Sequence, residues 1–326
     1  MKAFVHENGL LKVIEIADPI ANKGEVVVSL KAAGLNRRDI NIPKRRGDAQ
    51  EALVLGSDGA GIIESIGDGV TGWQIGDEVI INPSLRWYDK SDAPPGDFEI
   101  LGMPDNGTFA EKIAISAEQI EKKPSNLSML ESAVIALSGL TGFRALFTQG
   151  NLKAGDTVFI PGAGSGVSTF MIQFAKNAGA RVITSSRSEA KRQRALQLGA
   201  DRAIDTNGDW PSLLQNETID LVIESIGRAT FNRSLSILKL GGRIVVFGAT
   251  TEDEVELDLR KFFYGQYQLY GSTMGSREEL REMLQHLEKY EVKPIIDKQY
   301  PLEEAAQAFE YLEKNDQFGK IVLTFN

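Results

Sequence analysis

The sequence predicts an α/β protein in which a β-barrel-like domain precedes a doubly wound parallel sheet. Three observations carry this. Up to about Lys123, short apolar or alternating segments follow one another between glycine-containing turns, as in closed antiparallel architectures. From Leu130 onward, strand-like and helix-like segments alternate, the rhythm of a parallel sheet wrapped by helices. A length of 326 residues also exceeds one typical core, which favours two domains.

In the first region the strands are expected at Glu25–Leu30, Gly61–Gly67 and Glu78–Ile81. In the second, six strands are expected at Thr157–Ile160, Arg181–Ser185, Arg202–Asp205, Ile219–Glu224, Arg243–Phe247 and Leu269–Gly271. Six strands with helical segments between them match a doubly wound Rossmann sheet. The helix after the first of them places Val167, Phe170, Met171, Phe174, Ala175 and Ala178 on one apolar stripe. Beyond Gly275 the pattern changes again. Ser276 and Glu279 are spaced as a capping box for a helix bearing Leu280, Met283, Leu284 and Leu287 on one face. A later helix near Leu302–Leu312 precedes the strand Lys320–Leu323, and this tail is expected to return to the first domain. The domains are therefore set at 1–126 with 276–326, and 127–275.

Composition narrows the function classes. Hydrophobic residues at 42% and charged ones at 25% are ordinary for a globular enzyme. A net charge of −9 argues against nucleic acid as a partner. No apolar run approaches the ~18 residues needed to cross a bilayer, and the segment after Met1 has the character of a strand, not of a targeting signal. The absence of cysteine removes disulfide capacity and fits the cytoplasm, where the chain is expected to act on a small molecule away from membranes. No repeat or heptad pattern is present, so solenoids and coiled coils are excluded.

Strand Thr157–Ile160 runs into Pro161-Gly162-Ala163-Gly164-Ser165-Gly166-Val167-Ser168 and then into the amphipathic helix. Low side-chain bulk in a strand–turn–helix lets backbone N–H groups and the helix N-terminus approach a pyrophosphate. Gly162, Gly164, Ser165, Gly166 and Val167 are therefore expected to hold a dinucleotide. Ser168 stands where such turns usually have a small final glycine or alanine. The next strand ends in Thr184-Ser185-Ser186-Arg187-Ser188, where an NAD-binding fold places an acid on the ribose. No acid is there; Arg187, with Ser185, Ser186 and Lys191, suits a phosphate. The expected cofactor is NADPH.

The motifs Gly24–Val28, Ala33–Asp39, Leu55–Gly61, Gly76–Val79 and Ser138–Thr141, with the glycine turn and Gly319–Val322, stand in a specific order. In that order the chain resembles the medium-chain dehydrogenase/reductase superfamily over essentially its full length, most of all the zinc-lacking, quinone-oxidoreductase-like branch. The resemblance implies a GroES-like catalytic domain and a Rossmann domain with the nicotinamide in the cleft between them. Carried over residue by residue, the zinc ligands of the family fall on Asn36, on the pair Ser57-Asp58 and on Leu137, a set that cannot bind catalytic zinc. The lobe of the structural zinc carries Trp87, Tyr88, Asp89 and Asp92 instead of thiolates; Trp87 and Tyr88 either pack or line an entrance.

Without a metal, an electron-poor acceptor must be polarised by positioned donors. Asn36, Arg37 and Arg38 are the candidates. Asn36 can alternatively order its loop, Arg37 can bind cofactor phosphate, and Asp39 suits a loop-ordering role better than that of a base. The resemblance further implies cofactor contacts from Thr141, Phe247-Gly248-Ala249, Gly271-Ser272-Thr273 and Lys320, and a homo-oligomer, dimer or tetramer. The expected activity is zinc-independent, NADPH-dependent hydride transfer to quinones or α,β-unsaturated carbonyls. A zinc-free alcohol or aldehyde oxidoreductase and an NADPH-binding sensor are the alternatives.

Overall fold

The β-branched run Val26-Val27-Val28 is buried on both faces within Glu25–Gly34, the strand at the centre of the first sheet, on which Lys31 alone is exposed. The structure, a computed structural model, describes residues 1–325; Asn326, the final residue of the predicted first domain, lies outside them. Glu25–Gly34 pairs antiparallel with Asp58–Ile66, with Lys112–Ser116 and with Lys320–Thr324. Beyond Asp58–Ile66 the sheet continues to Glu78–Ile81 and Ile120–Lys122. On the other side Lys320–Thr324 pairs parallel with Ile296–Pro301. The C-terminal tail thus returns to the first region. A second sheet joins Leu10–Glu15, Lys2–Glu7 and Leu53–Val54. Phe4 and Phe109 meet Phe309 edge-on at 5.1 and 6.0 Å and centre a core that includes Leu55, Leu302 and Ile321.

Ser276 forms the expected capping box with Glu279, opening the helix Arg277–Lys289, on which Leu280, Met283 and Leu287 are fully buried. The later helix spans Ala305–Glu313 after a 3₁₀ turn at Leu302–Glu304.

The second unit holds a six-stranded sheet. In spatial order its strands are Arg202–Asp205, Arg181–Ser186, Thr157–Pro161, Ile219–Glu224, Leu238–Val246 and Gln268–Gly271, all parallel. Numbered along the chain this is 3-2-1-4-5-6, the doubly wound dinucleotide order. The fifth strand begins at Leu238, five residues before its predicted start. The helix Gly166–Asn177 buries Phe170, Met171, Phe174 and Ala175 as its stripe predicts, and also Ser168, Thr169 and Ile172. Phe159 packs edge-on against Trp210 at 4.9 Å, with the Arg233 guanidinium over the indole.

The chain divides into two compact units, Met1–Leu140 with the stretch from Gly275, and Thr141–Met274. The first boundary falls at Leu140, where the sequence reading sets it at 126. Residues 127–140 belong to the first unit for a physical reason. A Cβ on Gly34 would lie 2.8 Å from the Ala133 carbonyl oxygen, so glycine in the central strand lets this segment pack onto the sheet backbone.

Candidate active site

Register brings three distant segments of the first unit together. Val322 pairs with Gly34 and Gly34 with Asp58, and the Leu35 N–H donates to the Ile321 carbonyl at 3.0 Å. Extending this antiparallel ladder by one residue sets Lys320 beside Asn36. The Leu137 N–H donates to Asp58 Oδ1 at 2.7 Å, which fixes Ser138 on the same cluster.

At its centre is the Lys320 ammonium. Nζ donates to Asn36 Oδ1 at 2.5 Å, Ser138 Oγ at 3.1 Å and Asp58 Oδ2 at 3.2 Å, so its three donors meet three oxygens. Lys320 is 3% exposed and Asp58 fully buried. Ser138 Oγ in turn donates to Asn36 Oδ1 at 3.1 Å, and Asn36 Nδ2 donates to Asp58 Oδ2 at 3.0 Å. The remaining Nδ2 hydrogen reaches the Gly34 carbonyl at 3.4 Å, the longest contact of the group. A buried charge is tolerated only when paired and hydrogen-bonded in this way.

Asp39 borders the cluster. Its Oδ2 accepts the Asn36 N–H at 2.7 Å, while Oδ1 is buried without a hydrogen-bond partner. Burial pushes this carboxyl up to about 7, against the opposing pull of the Arg38 charge. The Arg38 guanidinium is committed to the lobe, donating to Leu101 O at 2.8 Å, Ile100 O at 3.1 Å and Ser57 Oγ at 3.2 Å. Arg37 donates to Asn315 Oδ1. Of the three residues expected to polarise substrate, Asn36 alone hydrogen-bonds to Lys320 and Asp58. Burial lowers both guanidinium pKa values from their ordinary range.

The fit of a catalytic zinc fails on donor chemistry. Asn36, Ser57, Asp58 and Leu137 offer neither thiolate nor imidazole, and the chain contains no cysteine. Among the described residues no group of three or more His, Cys, Asp or Glu side chains is placed to hold a metal. The two histidines belong to other elements, His6 to strand Lys2–Glu7 and His286 to helix Arg277–Lys289. In the lobe, Trp87 is buried, donates Nε1–H to Ser91 Oγ at 2.9 Å and packs edge-on against Phe98 at 5.4 Å. Packing therefore accounts for Trp87, whereas Tyr88 is 36% exposed.

In the second unit, Gly162 opens the predicted turn at φ +86°, a conformation that penalises any residue with a Cβ. Gly162 and Ala163 donate their N–H groups to the Ser185 carbonyl at 3.1 and 2.9 Å, joining the first strand's end to the second's. Ser165 caps the helix by accepting from the Ser168 N–H at 3.0 Å. Ser168 Oγ donates to the Gly162 carbonyl at 2.7 Å, so the serine in the final glycine position braces the turn. The first N–H groups of any helix lack intrahelical partners, which leaves Gly166 and Val167 suited to a phosphate. Ser185 is buried and accepts from Thr206 Oγ1 at 3.1 Å, whereas Arg187 is exposed.

Because all six strands are parallel, Phe247–Ala249 and Gly271–Thr273 lie at the same C-terminal edge of the sheet as this turn. Thr141 belongs to this unit, its Oγ1 3.8 Å from Met274 Sδ. Lys320, expected near the cofactor, hydrogen-bonds to Asn36, Asp58 and Ser138 in the first unit. Two residues that sequence reasoning missed shape this edge. Glu224 is fully buried at the end of its strand; Oε1 accepts from the Ile226 N–H at 2.7 Å and Thr230 Oγ1 at 2.9 Å, and Oε2 from Ser234 Oγ at 2.7 Å. An acid ending the apolar run Leu221-Val222-Ile223 was the available signal. Arg192 donates to the Ser186 carbonyl at 2.7 Å, a contact without a sequence signature.

Fold and site together define an oxidoreductase of the alcohol dehydrogenase type. Residues 22–125 match the alcohol dehydrogenase GroES-like domain and residues 166–289 the zinc-binding dehydrogenase domain. The chain belongs to the medium-chain dehydrogenase/reductase superfamily. It is 33% identical over 317 residues to a zinc-type alcohol dehydrogenase-like protein of Schizosaccharomyces pombe, covering 93% of this chain and 91% of that protein. The quinone oxidoreductase of Mus musculus is 28% identical, with 95% and 92% covered. A crystal structure of an NAD-dependent alcohol dehydrogenase superposes with a TM-score of 0.92 at 35% identity, covering all of both chains.

Proposed function

We propose that this oxidoreductase works without zinc and uses NADPH to reduce quinones or α,β-unsaturated carbonyls. The observation that carries the reading is the cluster around Lys320, in which the Asn36 amide, the Asp58 carboxylate and the Ser138 hydroxyl meet an ammonium, while the positions that the resemblance assigns to the zinc ligands hold Asn36, Ser57-Asp58 and Leu137, with neither Cys nor His among them. Such a site supports acceptors that are already electron-poor, because a quinone or enone spreads the developing charge into a phenolate or enolate. NADPH supplies the hydride when bound. Gly162, Gly164, Ser165, Gly166 and Val167 hold its pyrophosphate, with Phe247–Ala249, Gly271–Thr273 and Thr141 as further contacts. Arg187, assisted by Ser185, Ser186 and Lys191, takes the 2′-phosphate. Asn36 presents its weakly engaged second Nδ2 hydrogen to the substrate oxyanion. The Lys320 ammonium on Oδ1 polarises the amide and strengthens that donor, and Arg37 and Arg38 add positive potential.

The likeness to an NAD-dependent alcohol dehydrogenase favours one rival, a zinc-free alcohol or aldehyde oxidoreductase. Chelator-treated protein assayed for NADPH oxidation against a quinone, an enone and a saturated aldehyde separates the two. Turnover on the quinone or enone is expected; turnover confined to the aldehyde, or dependent on added zinc, overturns the proposal. The cytoplasm is the proposed compartment; among the described residues no helix is long and apolar enough to cross a membrane. A homo-oligomer is supported by the edge strand Gln268–Gly271, where Leu269 is exposed near the sheet's open side, and by Leu259, Phe263 and Tyr264 exposed on the preceding helix. Light scattering on the purified chain tests it, and a monomer at micromolar concentration would remove that part.

A further inference from the structure

We infer that the Lys320 ammonium is a tethered cation filling an oxygen-lined cation site, and that its presence keeps divalent metal out of the first unit. Asn36 Oδ1, Asp58 Oδ2 and Ser138 Oγ converge on Nζ within 2.5–3.2 Å from three segments far apart in the chain. Each is an oxygen of the kind that holds hard cations, and Asp58 brings the one full negative charge in contact with Nζ. Asp58 Oδ1 is anchored by the Leu137 N–H, so the carboxylate stays in place independently of the lysine. The arrangement is built to hold positive charge, and the chain supplies that charge from its own C-terminal strand. The metal-free arm of the proposal above then has a physical cause, which holds whichever acceptor is reduced.

The test removes the cation and offers replacements. Lys320→Ala deletes three methylenes and the amine, the atoms of n-propylammonium. Thermal unfolding of the variant and of the unaltered chain is followed with n-propylammonium, Mn²⁺ or Zn²⁺, against sodium at equal ionic strength, with metal content measured in parallel. The expected result is a saturable rise of about 2–4 °C in the variant with at least one of these cations. The unaltered chain is expected to show no rise and only substoichiometric zinc. If Lys320→Ala does not fold unaided, recovery on refolding with the same cations becomes the readout. The double variant Lys320→Ala with Asp58→Asn should lose the response. Stoichiometric zinc in the unaltered chain, absence of stabilisation or refolding with every cation, or an undiminished response in the double variant would each overturn the inference. These readouts do not involve turnover, so they stand apart from any failure to find the acceptor.

Discussion

Asp39 offers the sharpest physical prediction. Its carboxyl is fully buried, accepts one backbone N–H and leaves Oδ1 without a partner. Burial raises its pKa from 3.8 to about 7, so the folded chain keeps this proton at pH values where the unfolded chain has lost it. The sign follows from linkage: the folded state binds more protons across that window, and stability therefore falls as pH rises from about 4 to about 7 and is level above. Roughly three pKa units correspond to about 4 kcal/mol. Asp39→Asn keeps a carbonyl oxygen for the Asn36 N–H and carries no charge at any pH. The variant should be more stable than the original by about 2–4 kcal/mol at pH 8, with the difference closing near pH 4. Denaturant unfolding followed by tryptophan fluorescence at both pH values measures it, Trp73 and Trp87 lying in the same unit. A difference that does not change with pH would refute the assignment of a buried, proton-retaining Asp39.

Three further substitutions probe the rest. Arg187→Ala should raise the Michaelis constant for NADPH by roughly tenfold or more, the worth of a charge-assisted hydrogen bond, and leave that for NADH nearly unchanged; equal effects would remove Arg187 from the phosphate site. Glu224→Ala strands the Ile226 N–H and the Thr230 and Ser234 hydroxyls, and should cost about 3 kcal/mol, visible as lowered thermal stability and weakened cofactor binding by fluorescence titration. Lys320→Met leaves the Asp58 charge buried and unpaired, at a cost of about 3–5 kcal/mol. Adding Asp58→Asn should recover much of that stability without recovering turnover, and a double variant no more stable than the single one would show that charge is not the cause.

Elements governed by local rules were legible in the sequence. The Ser276–Glu279 capping box, the glycine turn and the six strands depend on neighbours within a few positions, and the structure has them where they were expected, except that the fifth strand starts earlier, at Leu238. The boundary near residue 126 was not, because what binds residues 127–140 to the first unit is the missing Cβ of Gly34, about a hundred positions away in sequence. Arg38 shows the same limit. Its type suggested a substrate donor, yet two carbonyls and a serine hydroxyl claim its guanidinium. Lys320 was legible as a residue of interest but not in its place, since only the ladder through Gly34 shows that it lies beside Asn36.

The energetics of the Lys320–Asp58 pair bear on why such a feature exists at all. Replacing a buried ion pair by well-packed apolar side chains is often neutral or stabilising. Stability alone does not account for an ammonium here. A fixed positive charge behind Asn36 does something an apolar plug cannot: it holds positive potential against a side chain that still has one hydrogen weakly engaged. A metal would bring a stronger field and bind substrate oxygen directly. The ammonium, with all three donors consumed, acts only through Asn36 or through its field. Under the proposed function, that weaker polarisation matches acceptors whose own conjugation carries most of the developing charge. The choice of cation and the choice of substrate are, on this reading, one feature of the site.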